Sequence, residues 1–165
     1  MPRRSLWRAL VIGLLVVAAA TPARAQRRTT LTIAGWPLTV TTTTGADFEA
    51  GFILLGSTTF TVDAESNQPA FSPRSATVEV QCVPACPRSG TLALAGVQWR
   101  RNDQVSWTTL TTAYVPIETR TMVYNGLNDP WSQTVHWRYA LNWVTTPPTA
   151  ASQFRIRYRL TMAAP

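Results

Sequence analysis

Two stretches near the C-terminus alternate so strictly between apolar and polar residues that only extended backbone suits them. In the later one, Phe154, Ile156, Tyr158, Leu160 and Met162 share one side, and Gln153, Arg155, Arg157, Arg159 and Thr161 the other. In the earlier one, Val135, Trp137, Tyr139, Leu141 and Trp143 oppose His136, Arg138, Ala140 and Asn142. A repeat of two places successive side chains on opposite faces of a strand, so each stretch is a strand with one wet side. Pro147-Pro148 lies between them, and an antiparallel pair joined by a loop is expected.

Further strands are expected over 29–34, 38–44, 57–63, 76–83, 91–100, 105–114 and 119–124, where Thr, Val, Leu and aromatic residues concentrate. Gly96 falls where the apolar phase flips, which predicts a bulge. Arg101 to Gln104 reads as a polar turn between two Trp-bearing strands. The fold class that follows is all-β: one antiparallel sandwich, with a closed barrel as the alternative. Val97-Gln98-Trp99-Arg100 followed by Trp107 resembles the core-tryptophan strand and its successor in immunoglobulin-like and fibronectin-like sandwiches. Cys86 stands four residues after Cys82 instead of far along the chain, so the architecture is kept and the family is not.

The first 25 residues are of another kind. Arg3, Arg4 and Arg8 precede an apolar run from Ala9 to Ala20, and Ala23-Arg24-Ala25 supplies the small residues a signal peptidase reads. The run is too short to span a hydrocarbon core of about 30 Å. The expected organisation is a cleaved signal peptide, 1–25, and one domain, 26–165, secreted or periplasmic. Arg3-Arg4-Ser5-Leu6-Trp7 also resembles a twin-arginine export signal, so ordinary and twin-arginine export both stay open. Four of the 15 cationic residues, all arginines, leave with the leader; 11 then face 8 acids, and the net charge falls from +7 to +3. That is a charge for solubility and not a nucleic-acid footprint. Outside the cytoplasm Cys82 and Cys86 should pair as a disulfide.

Little in the chain promises catalysis. There is a single His, no Gly-x-Ser-x-Gly, and no phosphate-loop or dinucleotide glycine pattern. No cofactor or metal is expected. The acidic pairs Asp47 with Glu49 and Asp63 with Glu65 would share a face if they lay on strands, which leaves a small hydrolase as the weakest reading. Two binding surfaces are expected instead. Trp131, in a loop with Tyr124, Asn128 and Asp129, resembles the aromatic platforms of carbohydrate-binding modules. Arg155, Arg157 and Arg159, joined by Arg138 from the neighbouring strand, would form a ladder for polyanions. The other four tryptophans beyond the loop-borne Trp131 and Trp36, namely Trp99, Trp107, Trp137 and Trp143, are expected in the core. The apolar positions Leu31, Ile33, Leu38 and Val40 resemble in outline the arm by which pilus-type subunits add a strand to a neighbour. The leading expectation is a non-enzymatic structural, adhesive or surface-binding protein whose partner is a surface glycan or another extracytoplasmic protein. A carbohydrate-binding module and a fibre subunit are the alternatives.

Overall fold

The computed structural model describes residues 29–35, 38–64, 74–122, 130–145, 147 and 150–163. The expected signal peptide, Trp36, Glu65 and the loop bearing Tyr124, Asn128 and Asp129 lie outside them. Ten strands and one short helix follow in order: β1 (Thr29–Ala34), β2 (Leu38–Val40), α1 (Gly45–Ala50), β3 (Phe52–Ala64), β4 (Arg74–Cys82), β5 (Val97–Arg101), β6 (Thr108–Thr109), β7 (Val115–Met122), β8 (Trp131–Ala140), β9 (Ser152–Phe154) and β10 (Ile156–Ala163). They make a five-stranded sheet, β1-β3-β8-β5-β6, a three-stranded sheet, β10-β4-β7, and a two-stranded ribbon, β2-β9. Every pairing is antiparallel. The chain is therefore all-β, and the described strands close no barrel.

The earlier alternating segment forms β8 with the expected faces as far as Leu141, and the later one is split at Arg155 into β9 and β10; β8 and β10 do not pair with each other. β8 lies between β3 and β5, and β10 pairs with β4 in the other sheet. Each has an oily side to hide, and the two sides meet a common core instead of lying in one plane. Val135, Trp137 and Tyr139 of β8 join Phe60 and Val62 of β3, Val78 and Val80 of β4, and Ile156 of β10 in one buried cluster. At its centre a polar chain crosses between the sheets. Trp137 Nε1 donates to Thr58 Oγ1 at 2.9 Å, and the Thr58 hydroxyl bonds the Tyr158 hydroxyl at 2.5 Å.

β3 changes phase midway. Ile53 and Leu55 pack on the core before Gly56, and Thr58, Phe60 and Val62 after it. The register with β8 shifts between Leu54 and Gly56, leaving Leu55 as the extra residue of a bulge, and the chain rejoins the ladder at Gly56 with φ +91°, where glycine is at ease. The expected bulge at Gly96 is a 3-10 turn, Leu94–Gly96, so the strand read over 91–100 starts only at Val97. The strand read over 105–114 shrinks to β6, because the chain then crosses sheets: Leu110 N bonds Val97 O of β5, whereas Thr111 O accepts from Cys82 N of β4. The strand read over 38–44 stops at Val40, and Thr44 caps α1.

Cys82 and Cys86 are joined in a disulfide. It fastens the 82–90 turn to the end of β4, and Arg88 N and Gln153 O tie the same turn to β9 at 2.7 Å. Closing so short a loop is worth roughly 2 kcal/mol by chain entropy. β1 and β2 pair with β3 and β9 of their own chain. No helix among the described residues is long and apolar enough to cross a membrane.

Two expectations follow from the polar crossing. Thr58→Val keeps the volume but strips the acceptor from a buried indole N–H, and should cost about 1–3 kcal/mol in urea unfolding. Burial pushes the Tyr158 hydroxyl well above the ordinary tyrosine range, against the opposing hydrogen bonds of Thr58 and Trp137. The folded state thus holds a proton the unfolded chain releases near pH 10. That share of stability is complete below about pH 10 and is lost as pH rises through the higher folded value. Alkaline unfolding should be less steep in Tyr158→Phe; an unchanged pH profile would contradict it.

Candidate functional site

The expected sites are scattered rather than assembled. Trp131 is the first residue of β8 and is only 6% exposed, packed edge-on against Phe60 with ring centroids 5.3 Å apart. Arg120 covers its ring at 4.6 Å. The platform expected there is corrected: the odd positions of β8 point inward, and 131 is odd. Its partners Tyr124, Asn128 and Asp129 lie outside the described residues.

The arginine ladder is also divided. Arg157 and Arg159 stand on the outer side of β10, and Arg155 is exposed in the break between β9 and β10. Arg138 belongs to β8 in the other sheet, so it cannot join them. Within the ladder Arg159 faces Glu79 across the β4–β10 register, with Nε to Oε2 at 2.8 Å. Hydrogen bonds from Arg159 and then Thr161 hold the Glu79 carboxyl below its usual range. Opposite charges across a strand pair stabilise a sheet edge, and arginines there discourage edge-to-edge pairing.

Asp47 and Glu49 fall in α1 and not on a strand face, and Glu65 of the other acidic pair lies outside the described residues. Asp47 lies in α1, where its carboxylate accepts from Thr44 N at 2.8 Å and from Thr44 Oγ1 at 2.7 Å. The first of these bonds, together with Asp47 N donating to Thr44 Oγ1 at 3.3 Å, forms a capping box, and the Thr44 side chain, then its backbone, hold the Asp47 carboxyl below its usual range. No group of three or more His, Cys, Asp and Glu placed to hold a metal ion occurs among the described residues.

Two arrangements that parity did not predict stand out. The first is at the end of β8. The strand stops at Ala140, and the Asn142 side chain accepts from Val144 N at 3.1 Å and Thr145 Oγ1 at 2.9 Å. This Asx turn throws Trp143 outward, 74% exposed, where it stacks on Phe48 of α1 with centroids 5.5 Å apart and planes at 22°. Its expected core position is thus corrected. Val144, on the same turn, is 88% exposed. Alongside lies an open cleft of about 420 Å³ lined by Thr91, Ala93, Gly96, Tyr139, Asn142 and Thr145 among others. Tyr139 OH donates to Ala93 O at 3.1 Å, which fixes the wall of the cleft.

The second is on the outer face of the five-stranded sheet. Gln98 lies opposite Arg138 and Arg100 opposite His136. Trp107, half-buried on this face and not in the core as expected, lies beneath both guanidinium groups, with Arg138 Cζ 4.2 Å and Arg100 Cζ 4.9 Å from its ring centroid. Arg138 also covers the Phe52 ring at 5.5 Å, and its Nε donates to Gln98 Oε1 at 2.8 Å. Burial, and then the charge of Arg100, lower the Arg138 pKa from its ordinary value. Arg100 Nη1 reaches Gln104 O at 3.4 Å. Neither cation has a carboxylate partner among the described residues, whereas Arg101, Arg120 and Arg159 do.

With this geometry in hand, comparison with known proteins returns no match: no family model, no curated protein and no solved structure resembles the chain.

Gly96 lines the cleft and leaves room for the Tyr139 ring packed against it. A Cβ at this position would lie 2.3 Å from Tyr139 Cζ. Gly96→Ala should displace the Tyr139 ring and cost about 1–3 kcal/mol as overpacking, read as a lower thermal midpoint. An unchanged midpoint would show that the ring has room to yield.

Proposed function

We propose that the chain is an exported, non-enzymatic β-sandwich with an adhesive or surface-binding role, and that its ligand is a glycan received at Trp143. The supporting observation is the stacked Phe48–Trp143 pair, with Trp143 left 74% exposed between Asn142 and Val144, which line an open cleft. A large exposed aromatic loses favourable burial unless something covers it. The flat ring supplies apolar area for the C–H face of a sugar. The cleft beside it carries Thr91, Asn142 and Thr145, residues able to bond sugar hydroxyls.

The facing of the sheets favours the sandwich reading. The inner sides of β3, β8 and β5 share their core with those of β4, β7 and β10. The leader over 1–25 supports export, and the Cys82–Cys86 disulfide is compatible with a compartment outside the cytoplasm. A fibre subunit built by strand exchange gains less support, since β1 and β2 already find partners in their own chain. The capping role of Asp47 favours a binding protein over a hydrolase.

The test is a glycan-array screen of residues 26–165, followed by titration of the best ligand. Trp143→Ala should weaken binding about tenfold or more, a stack of roughly 1.4 kcal/mol. Its stability should change by less than about 1 kcal/mol, because the residue lies at the surface. Full affinity in Trp143→Ala would remove the platform from the binding site.

A further inference from the structure

We infer that the glycan is acidic, and that Arg100 and Arg138 on the Trp107 ring form the subsite for its carboxylate. This rests on the glycan reading above and names the substrate class.

The argument begins with a cost. Two like charges packed against one indole repel each other, and both guanidinium groups lose water on a half-buried face. The other buried or bridged arginines of the fold are neutralised locally: Arg101 by Asp103 and Glu118, Arg120 by Glu118, Arg159 by Glu79. Arg100 and Arg138 lack a carboxylate among the described residues, and Arg100 Nε, sealed from solvent, has no hydrogen-bond acceptor among them either. Cation–aromatic stacking on Trp107 offsets part of the repulsion. An incoming anion would supply the rest.

The groups are also held still. Gln98 grips Arg138 Nε, and Trp107 and Phe52 pack against its guanidinium plane, so little side-chain freedom remains to be lost on binding. The planar fork of an arginine matches the two oxygens of a carboxylate. Arg155 and Arg157 are exposed on the other sheet, where water and salt screen them, and they are the poorer candidates.

Position selects a sugar polymer. Arg138 and Ala140 are successive outward residues of β8, about 7 Å apart along a strand, and Ala140 lines the cleft beside Trp143. A saccharide chain on Trp143 can thus extend over Ala140 to the arginines. In the other direction the same face bears paired hydroxyls, Thr59 with Thr134 at 3.2 Å and Thr61 with Ser132 at 2.6 Å. Nucleic acid would call for a broader excess of cations than a net +3 over 26–165.

The test uses residues 26–165 and a panel of uronate oligosaccharides, each also prepared with its carboxyls reduced to alcohols. At least one acidic form should bind tenfold or more tightly than its reduced twin, with the advantage shrinking as salt rises. Arg138→Gln, Arg100→Gln and the milder Arg138→Lys should each erode that advantage, lowering affinity for the acidic form more than for the reduced form. Circular dichroism and the thermal midpoint monitor folding of each variant. Equal binding of both forms, selectivity that survives the Arg100→Gln/Arg138→Gln double variant, no binding across the panel, or tighter binding of duplex DNA than of any uronate would each overturn the inference. Acid selectivity retained in Trp143→Ala at unchanged affinity would instead sink the Trp143 platform and leave the arginine subsite standing.

Discussion

The hydroxyl of Thr58 lies in a core otherwise lined by Phe60, Val62, Val78, Val80 and Trp137, and it is where the two larger sheets are pinned to each other. Apolar contacts there are permissive, because many offsets of two oily faces bury similar area. A hydrogen bond in a low-dielectric interior is not permissive: the buried indole N–H of Trp137 has no water to fall back on if it breaks. Slipping β3 by one residue against β8 would carry Thr58 to the wet face and turn Ser57 or Thr59 inward with no such partners. The bulge at Gly56 belongs to the same constraint, because it absorbs the phase change that puts Ile53 and Leu55, and then Thr58, on the inner side of one strand.

Parity made much of this fold legible. The limits of β1, the inward faces of β8 and β10, and the polar turn after Arg101 follow from residue types alone. Partner choice does not, because alternation reports which side of a strand is oily and not which strand lies beside it. β8 and β10 look like hairpin neighbours, yet the need to cover two oily faces sends them to opposite sheets. Local hydrogen bonding then overrides pattern at both ends of the candidate platform. Thr44 and Asp47 close a capping box over a six-residue helix in the gap between the strands read over 38–44 and 57–63, and Asn142 starts a turn one residue before a tryptophan that continues the alternation. Thr-x-x-Asp ahead of Gly51, and Asn followed by a short turn before Pro147, were the available signals. Each is brief and weak beside a nine-residue alternation.

The tryptophans divide between core and surface. Trp99, Trp131 and Trp137 occupy inward positions of β5 and β8 and supply core volume. Trp107 and Trp143 follow polar turns, where strand parity no longer governs direction, and both end on the surface. One lies beneath two arginines and the other on a phenylalanine. The cation pair and the open ring thus owe their places to the irregular segments 102–107 and 141–145, which regular strands hold at both ends.

β8 links these features. Its residues Trp131, Val135, Trp137 and Tyr139 are gripped by the core, and its even residues His136, Arg138 and Ala140 run along the outer face toward the cleft. The same buried contacts that fix the fold therefore set the spacing of the outward groups to within the tolerance of a β-ladder. Rigidity of that kind is what two mutually repelling guanidinium groups require. On a mobile loop they would swing apart into water, whereas on adjacent strands, braced by Gln98 and Trp107, they stay converged and leave an anion as the natural remaining partner.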